Sequence, residues 1–190
     1  MNARGELVRL LRDNSVELGS FTLASGRPSS YYIDARRTTM SARGIELIGP
    51  LGLQVIRAEG WAPDCVGGLT LGADPVAYAV ALASCSEPPE IDAFTVRKAQ
   101  KTHGTRSRIE GCFRTGQSVV IVEDVVTTGA SALEAIDAVA AQGGAVLGVL
   151  ALIDRGEGGR EAITRAGYEL RTMVSLAELG LSPEPGGAGE

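Results

Sequence analysis

Val119-Val120-Ile121-Val122-Glu123-Asp124-Val125-Val126-Thr127-Thr128-Gly129-Ala130-Ser131 is the stretch on which the fold turns. An unbroken apolar run reads as a strand buried on both faces, which is the environment of a parallel sheet. Two acids follow it, where open α/β sheets bind ligands beyond the carboxyl ends of their strands. Adjacent carboxylates there can accept hydrogen bonds from vicinal hydroxyls of a sugar and can attract a cation. The loop from Thr127 to Ser131 adds successive backbone N–H groups, three hydroxyls and a glycine that permits close approach. It opens onto a helix N-terminus, so the pattern describes a phosphate cradle. Ser131 with Glu134 also matches a capping box, an expectation the structure can check.

The pattern extends in both directions. Downstream, residues 132–142 read as a helix stopped by Gly143-Gly144, and residues 145–153 as a second buried strand, which completes a βαβ unit. Residues 168–175 can add a last strand. Upstream, residues 64–68 and 91–96 read as strands around a helix at 75–84 that has proline in its first turn. A polar stretch, 97–116, reads as loop throughout. Nearer the N-terminus, residues 4–12 have helical apolar spacing, and β-prone runs at 16–23 and 31–35 flank the turn-forming stretch 25–30. Ser41 precedes an apolar-periodic segment at 45–58, in which Pro50 is expected to kink or split the helix. The expected fold class is α/β: a parallel twisted sheet flanked by helices, with a small N-terminal hood. One domain is expected over residues 1–190, with the hood at about 1–40, the core at about 62–175 and a flexible Pro/Gly-rich tail at 183–190.

Composition narrows the function. The 190 residues are 44% hydrophobic and 22% charged, ordinary globular usage, and the formal net charge of −5 has the wrong sign for a nucleic-acid binder. Cys65, Cys85 and Cys112 lack the paired spacing of a disulfide framework or zinc site. The charged start MNARGELVRLLRDN has no apolar leader core, and no run approaches the ~18 apolar residues of a membrane span, so a cytoplasmic protein without membrane attachment is expected.

The acid-pair segment resembles the ribose-phosphate signature of the type I phosphoribosyltransferases, and three further segments resemble their orotate branch. Phe21-Thr22-Leu23-Ala24-Ser25-Gly26-Arg27-Pro28-Ser29-Ser30-Tyr31-Tyr32-Ile33-Asp34 is similar to the family's hood motif. Arg97-Lys98-Ala99-Gln100-Lys101-Thr102-His103-Gly104, within a stretch to Arg108 that carries five positive charges and no acid, is similar to its mobile catalytic loop. Ala151-Leu152-Ile153-Asp154-Arg155 brings an arginine to the end of the strand after the phosphate-loop helix. Gly67-Gly68-Leu69-Thr70-Leu71-Gly72-Ala73-Asp74-Pro75 resembles the pyrophosphate loop, but Leu71 stands where some members carry lysine.

The resemblance implies transfer of the phosphoribosyl group of phosphoribosyl pyrophosphate (PRPP) to N1 of orotate, giving orotidine 5′-monophosphate and pyrophosphate in pyrimidine biosynthesis. It implies a PRPP site of Arg27, Arg97, Lys98, Lys101, His103, Glu123, Asp124, Val125, Val126, Thr127, Thr128, Gly129, Ala130 and Ser131. Orotate would meet Tyr31, Tyr32, Thr127 and Arg155. Lys101, His103 and Asp124 would act in catalysis, with Mg2+ held mainly by PRPP and water. A homodimer sharing loop 97–108 across its interface is also implied. Two alternatives stay open: a phosphoribosyltransferase for a purine, and a non-catalytic PRPP-binding regulator.

Overall fold

The computed structural model describes residues 2–22, 26–98 and 107–184. Helix α1 (Ala3–Ser15) starts where the Asn2 side chain accepts from the Gly5 N–H and buries Leu7 and Leu11. A hairpin follows, β1 (Val16–Thr22) against β2 (Pro28–Ile33), pairing antiparallel from Val16↔Ile33 to Thr22↔Pro28. The second strand starts and ends earlier than its apolar run suggested, because pairing rather than hydropathy sets its bounds. A short helix, α2 (Arg36–Thr39), leads into α3 (Ala42–Ala58), which Ser41 caps by accepting from the Gly44 N–H.

Pro50 neither splits nor ends α3, which runs unbroken through it. The proline lies exposed, while Leu47, Ile48, Leu53 and Ile56 are buried on the core face. Burial of that face outweighs the single backbone hydrogen bond the proline cannot donate.

The main sheet has six strands in the order β5-β4-β3-β6-β7-β8. They are β3 (Cys65–Leu69), β4 (Asp92–Val96), β5 (Ile109–Gly111), β6 (Ser118–Val126), β7 (Ala145–Asp154) and β8 (Leu170–Val174). All neighbours are parallel except β5, which closes the edge antiparallel to β4. Helix α4 (Ala73–Ser84) connects β3 to β4, α5 (Ala130–Ala141) connects β6 to β7, and α6 (Gly159–Arg165) connects β7 to β8.

Strand alternation feeds two cores. Val120 and Val122 face the layer of α1, α3 and α4, together with Leu150, Leu152 and Met173. Val119 and Ile121 face the other layer, where Ala135 and Val139 of α5 and Ile163 of α6 pack. With helices on both faces, the central strands lie wholly in apolar surroundings, which accounts for their unbroken hydrophobic runs. No helix among the described residues is long and apolar enough to cross a membrane.

Candidate active site

The carboxyl ends of β3 and β6 meet the hood at a cleft of about 280 Å³. Glu123 and Asp124 sit on its floor, Thr70-Leu71-Gly72 forms one wall, and Tyr32, Asp34, Arg36 and Lys98 form others. Strand β6 continues past the acid pair to Val126, beyond the bound its apolar run suggested, so both carboxylates are held by the sheet itself.

Glu123 is only 7% exposed, and its Oε2 is buried without a hydrogen-bond partner. Burial, reinforced by neighbouring Asp124 and opposed by Lys98, pushes its carboxyl up to about 8. Asp124 is raised as well, chiefly by burial, although the Val125 N–H donates to its Oδ1 at 2.8 Å. Gly72 presses its backbone onto this acid, since a Cβ there would stand 2.4 Å from Asp124 Oδ1. A buried and a half-buried carboxyl side by side, one of them with an unpartnered oxygen, suit a floor that receives hydroxyl donors and a cation.

The raised carboxyl of Glu123 has a consequence for stability. The unfolded chain ionises near its ordinary value of 4.5 while the folded chain holds the proton until about 8. Between those limits the folded state binds more protons, so stability falls as pH rises through the window and levels off above it. Glu123→Gln is free of this loss. Its melting temperature should exceed that of the wild type near pH 9, and the gap should close near pH 5. Thermal melts across this range check it, and a gap independent of pH would contradict it.

Beyond Val126 the chain turns into the phosphate loop. A separate small pocket of about 40 Å³ is lined by Glu123 and by Val125 through Ala132. Gly129 has φ +81°, a conformation natural to glycine, and serves as N-cap of α5 without a side-chain cap. The capping box is therefore not formed: Ser131 lies inside the helix, and Glu134 pairs with Arg108 instead. This leaves the N–H groups at the head of α5 facing the pocket instead of a serine hydroxyl.

Arg155 emerges from the end of β7, where its backbone N–H donates to Val126 O at 2.9 Å and so lies beside the phosphate loop. The residue is 5% exposed. Its guanidinium stands 5.0 Å over the ring of Tyr31, its Nε is 3.0 Å from Glu157 Oε1, and its Nη2 is buried without a hydrogen-bond partner. Arg155 and Glu157, two residues apart in sequence, thus form an ion pair that is buried rather than solvated. Arg27 reaches the same carboxylate from the hood, with Nη2 at 2.9 Å from Glu157 Oε2.

The two tyrosines point to opposite sides of β2. The pleat of β2 sends Tyr31 inward beneath Arg155, where its hydroxyl is buried without a partner, and turns Tyr32 outward into the large cleft against Phe21. Lys98 joins the cleft, whereas the Arg97 side chain lies 3.6 Å from Glu110 on the edge strand. Lys101 and His103 lie outside the described residues.

The sequence reading passed over three features. Arg36 lines the cleft with its Nε 2.8 Å from Asp34 Oδ1, and an Asp-x-Arg directly after the hood motif was the available signal. Asp74 accepts from Thr70 Oγ1 at 2.7 Å and Thr95 Oγ1 at 2.8 Å, which braces the Thr70-Leu71-Gly72 wall. Glu157, two residues after Arg155, is the third, buried between Arg155 and Arg27. Cys65 is buried and its thiol pushed up to about 12, mainly by burial, which leaves it inert.

A central parallel strand carrying an acid pair near its carboxyl end, a small-residue loop at a helix N-terminus and a hood over both define the phosphoribosyltransferase class. A family model described as phosphoribosyl transferase domain matches residues 54–166. The orotate phosphoribosyltransferase of Mycobacterium tuberculosis is 49% identical over 178 residues, 94% of this chain and 97% of the relative. That of Rhodopirellula baltica is 42% identical over 181 residues, 93% of this chain and 94% of the relative. A crystal structure of the Mycobacterium tuberculosis enzyme in complex with PRPP superposes with a TM-score of 0.80 at 44% identity, covering 95% of this chain and all of that one. The chain belongs to the orotate phosphoribosyltransferase family.

Proposed function

We propose that this chain transfers the phosphoribosyl group of PRPP to N1 of orotate. The observation that carries the reading is Arg155: its backbone is tied to Val126 at the start of the phosphate loop, and its guanidinium is buried against Tyr31 with Nη2 lacking a hydrogen-bond partner. A planar cation in that position suits a carboxylate on a flat ring, and orotate differs from uracil by that group.

The ribose 5′-phosphate takes the head of α5, where Thr127 to Ser131 present backbone N–H groups and hydroxyls. Glu123 and Asp124 accept from the ribose 2′- and 3′-hydroxyls. The pyrophosphate lies along Thr70-Leu71-Gly72, and Arg36 and Lys98, both on that cleft, supply positive charge where Leu71 has none. N1 of orotate forms its bond to ribose C1 as the bond from C1 to the pyrophosphate oxygen breaks, and the electron pair leaves with pyrophosphate. Positive charge growing on the ribose ring is met by Asp124, and negative charge on the leaving group by Lys98, Lys101 and His103.

Magnesium would be held mainly by PRPP and water, with the hard carboxylate oxygens of Glu123 and Asp124 beside it. The ion, when bound with PRPP, supplies charge neutralisation for the leaving pyrophosphate. Two copies of the chain assemble as a homodimer with loop 97–108 reaching the neighbouring site, and the enzyme works in the cytoplasm. Release of pyrophosphate from PRPP and orotate, followed with magnesium and then with excess chelator, tests this reading. Turnover that stops with chelator and returns with magnesium is expected; turnover indifferent to chelator contradicts the role given to the metal.

A further inference from the structure

Glu157 occupies a place that its neighbours alone do not explain. Its side chain is 6% exposed on the loop between β7 and α6, and two arginines from different parts of the molecule converge on it. Arg155 comes from the core sheet, while Arg27 comes from the hood, 130 positions away in sequence from Glu157. Each arginine takes a different carboxylate oxygen, Arg155 Nε at 3.0 Å from Oε1 and Arg27 Nη2 at 2.9 Å from Oε2.

The contact with Arg155 is a close ion pair rather than an aligned hydrogen bond, since neither Arg155 Nε nor Glu157 Oε1 completes one. The carboxylate therefore holds the guanidinium by its Nε edge and leaves Nη2 uncommitted. Tyr31 closes one face of the same group at 5.0 Å. With the Nε paired and one face covered, the planar fork retains little freedom to turn. Glu184, held on Ser29 and Ser30 of β2, adds a second carboxylate to the electrostatic surroundings of Arg155, but only Glu157 pairs with its Nε. Without Glu157 the buried Arg155 guanidinium would lose the carboxylate paired with its Nε.

We propose that Glu157 is a positioning residue for the base: it aims Arg155 at the orotate carboxylate and binds hood and core into one array through Arg27. The proposal rests on the reading of Arg155 as the contact to orotate. Glu157 itself touches neither substrate, so its effect should enter through the affinity for orotate and not through the chemical step.

The experiment measures kcat and the orotate KM for wild type, Glu157→Gln, Glu157→Asp, Arg27→Ala and the double variant Arg27→Ala/Glu157→Gln, with a thermal melt of each. Glu157→Gln keeps the size and removes the charge, and it should raise the orotate KM about 10-fold while kcat changes less than about 3-fold. Glu157→Asp restores the charge at a shorter reach and should recover part of the loss. The double variant should bind orotate more tightly than the product of the single effects predicts, because both changes break one array. An orotate KM unchanged in Glu157→Gln, with only a lower melting temperature, overturns the proposal and leaves Glu157 as a neutraliser of buried charge. If Glu157→Gln fails to fold, an orotate KM in Glu157→Asp equal to that of wild type overturns it just as well. Failure of the orotate reading itself would show in the wild-type protein, which would then not consume orotate, and would overturn both.

Discussion

Arg155→Ala should lower kcat/KM for orotate by roughly 100-fold or more, mostly through KM. Truncating one member of a buried, charge-assisted contact costs about 2–5 kcal/mol, and each ~1.4 kcal/mol is a factor of ten. Arg155 is 5% exposed, so water cannot take over its role, and its removal also leaves Glu157 with Arg27 alone. Arg155→Lys separates charge from geometry. A lysine retains the charge but cannot present a planar fork, so it should recover only part of the orotate affinity. Steady-state kinetics of the two variants check this, and an alanine variant within about 3-fold of wild type would remove Arg155 from the base site.

Lys101→Ala should act on the other parameter. A cation that meets charge developing on the leaving pyrophosphate contributes most in the transition state, and the loss of one such group costs roughly 100- to 1000-fold in turnover. The orotate KM should change by no more than a few fold. Lys101 lies outside the described residues, but the base of its loop is defined on both sides. The Arg97 N–H donates to Arg108 O at 2.8 Å, which ties β4 to β5, and Lys98 already lines the cleft above Glu123 and Asp124. If the loop serves the neighbouring subunit, mixing Lys101→Ala with Arg155→Ala chains should restore activity, since one site in each heterodimer then carries neither substitution. Mixtures no more active than the separate variants would place Lys101 and Arg155 in the same subunit's site.

The parts of this fold that could be read in the sequence are those whose environment is uniform. Strands β6 and β7 are buried on both faces, so their apolar runs are continuous and their type is unambiguous. The acid pair stood out because charge rarely ends such a run without a partner. Strand β5 was hidden because its three residues sit in a polar stretch and owe their conformation to pairing with β4, as in Val96↔Ile109. Helix α6 was hidden because it spans only seven residues and begins at a left-handed glycine, with Ile163 as its one buried apolar side chain. The division of Tyr31 from Tyr32 follows from strand alternation once β2 is known to extend across both. Glu157 was the hardest to see: an acid two residues from an arginine ordinarily reads as a solvated pair, and only the approach of the hood buries it.

The most direct test of the central claim sets orotate beside uracil, hypoxanthine and adenine, each with PRPP and magnesium, and follows loss of the base with release of pyrophosphate. Rapid consumption of orotate alone is the predicted result. Consumption of a purine in preference to orotate would contradict the assignment of Arg155 and the hood to an acidic pyrimidine, and turnover of no base would contradict the enzyme.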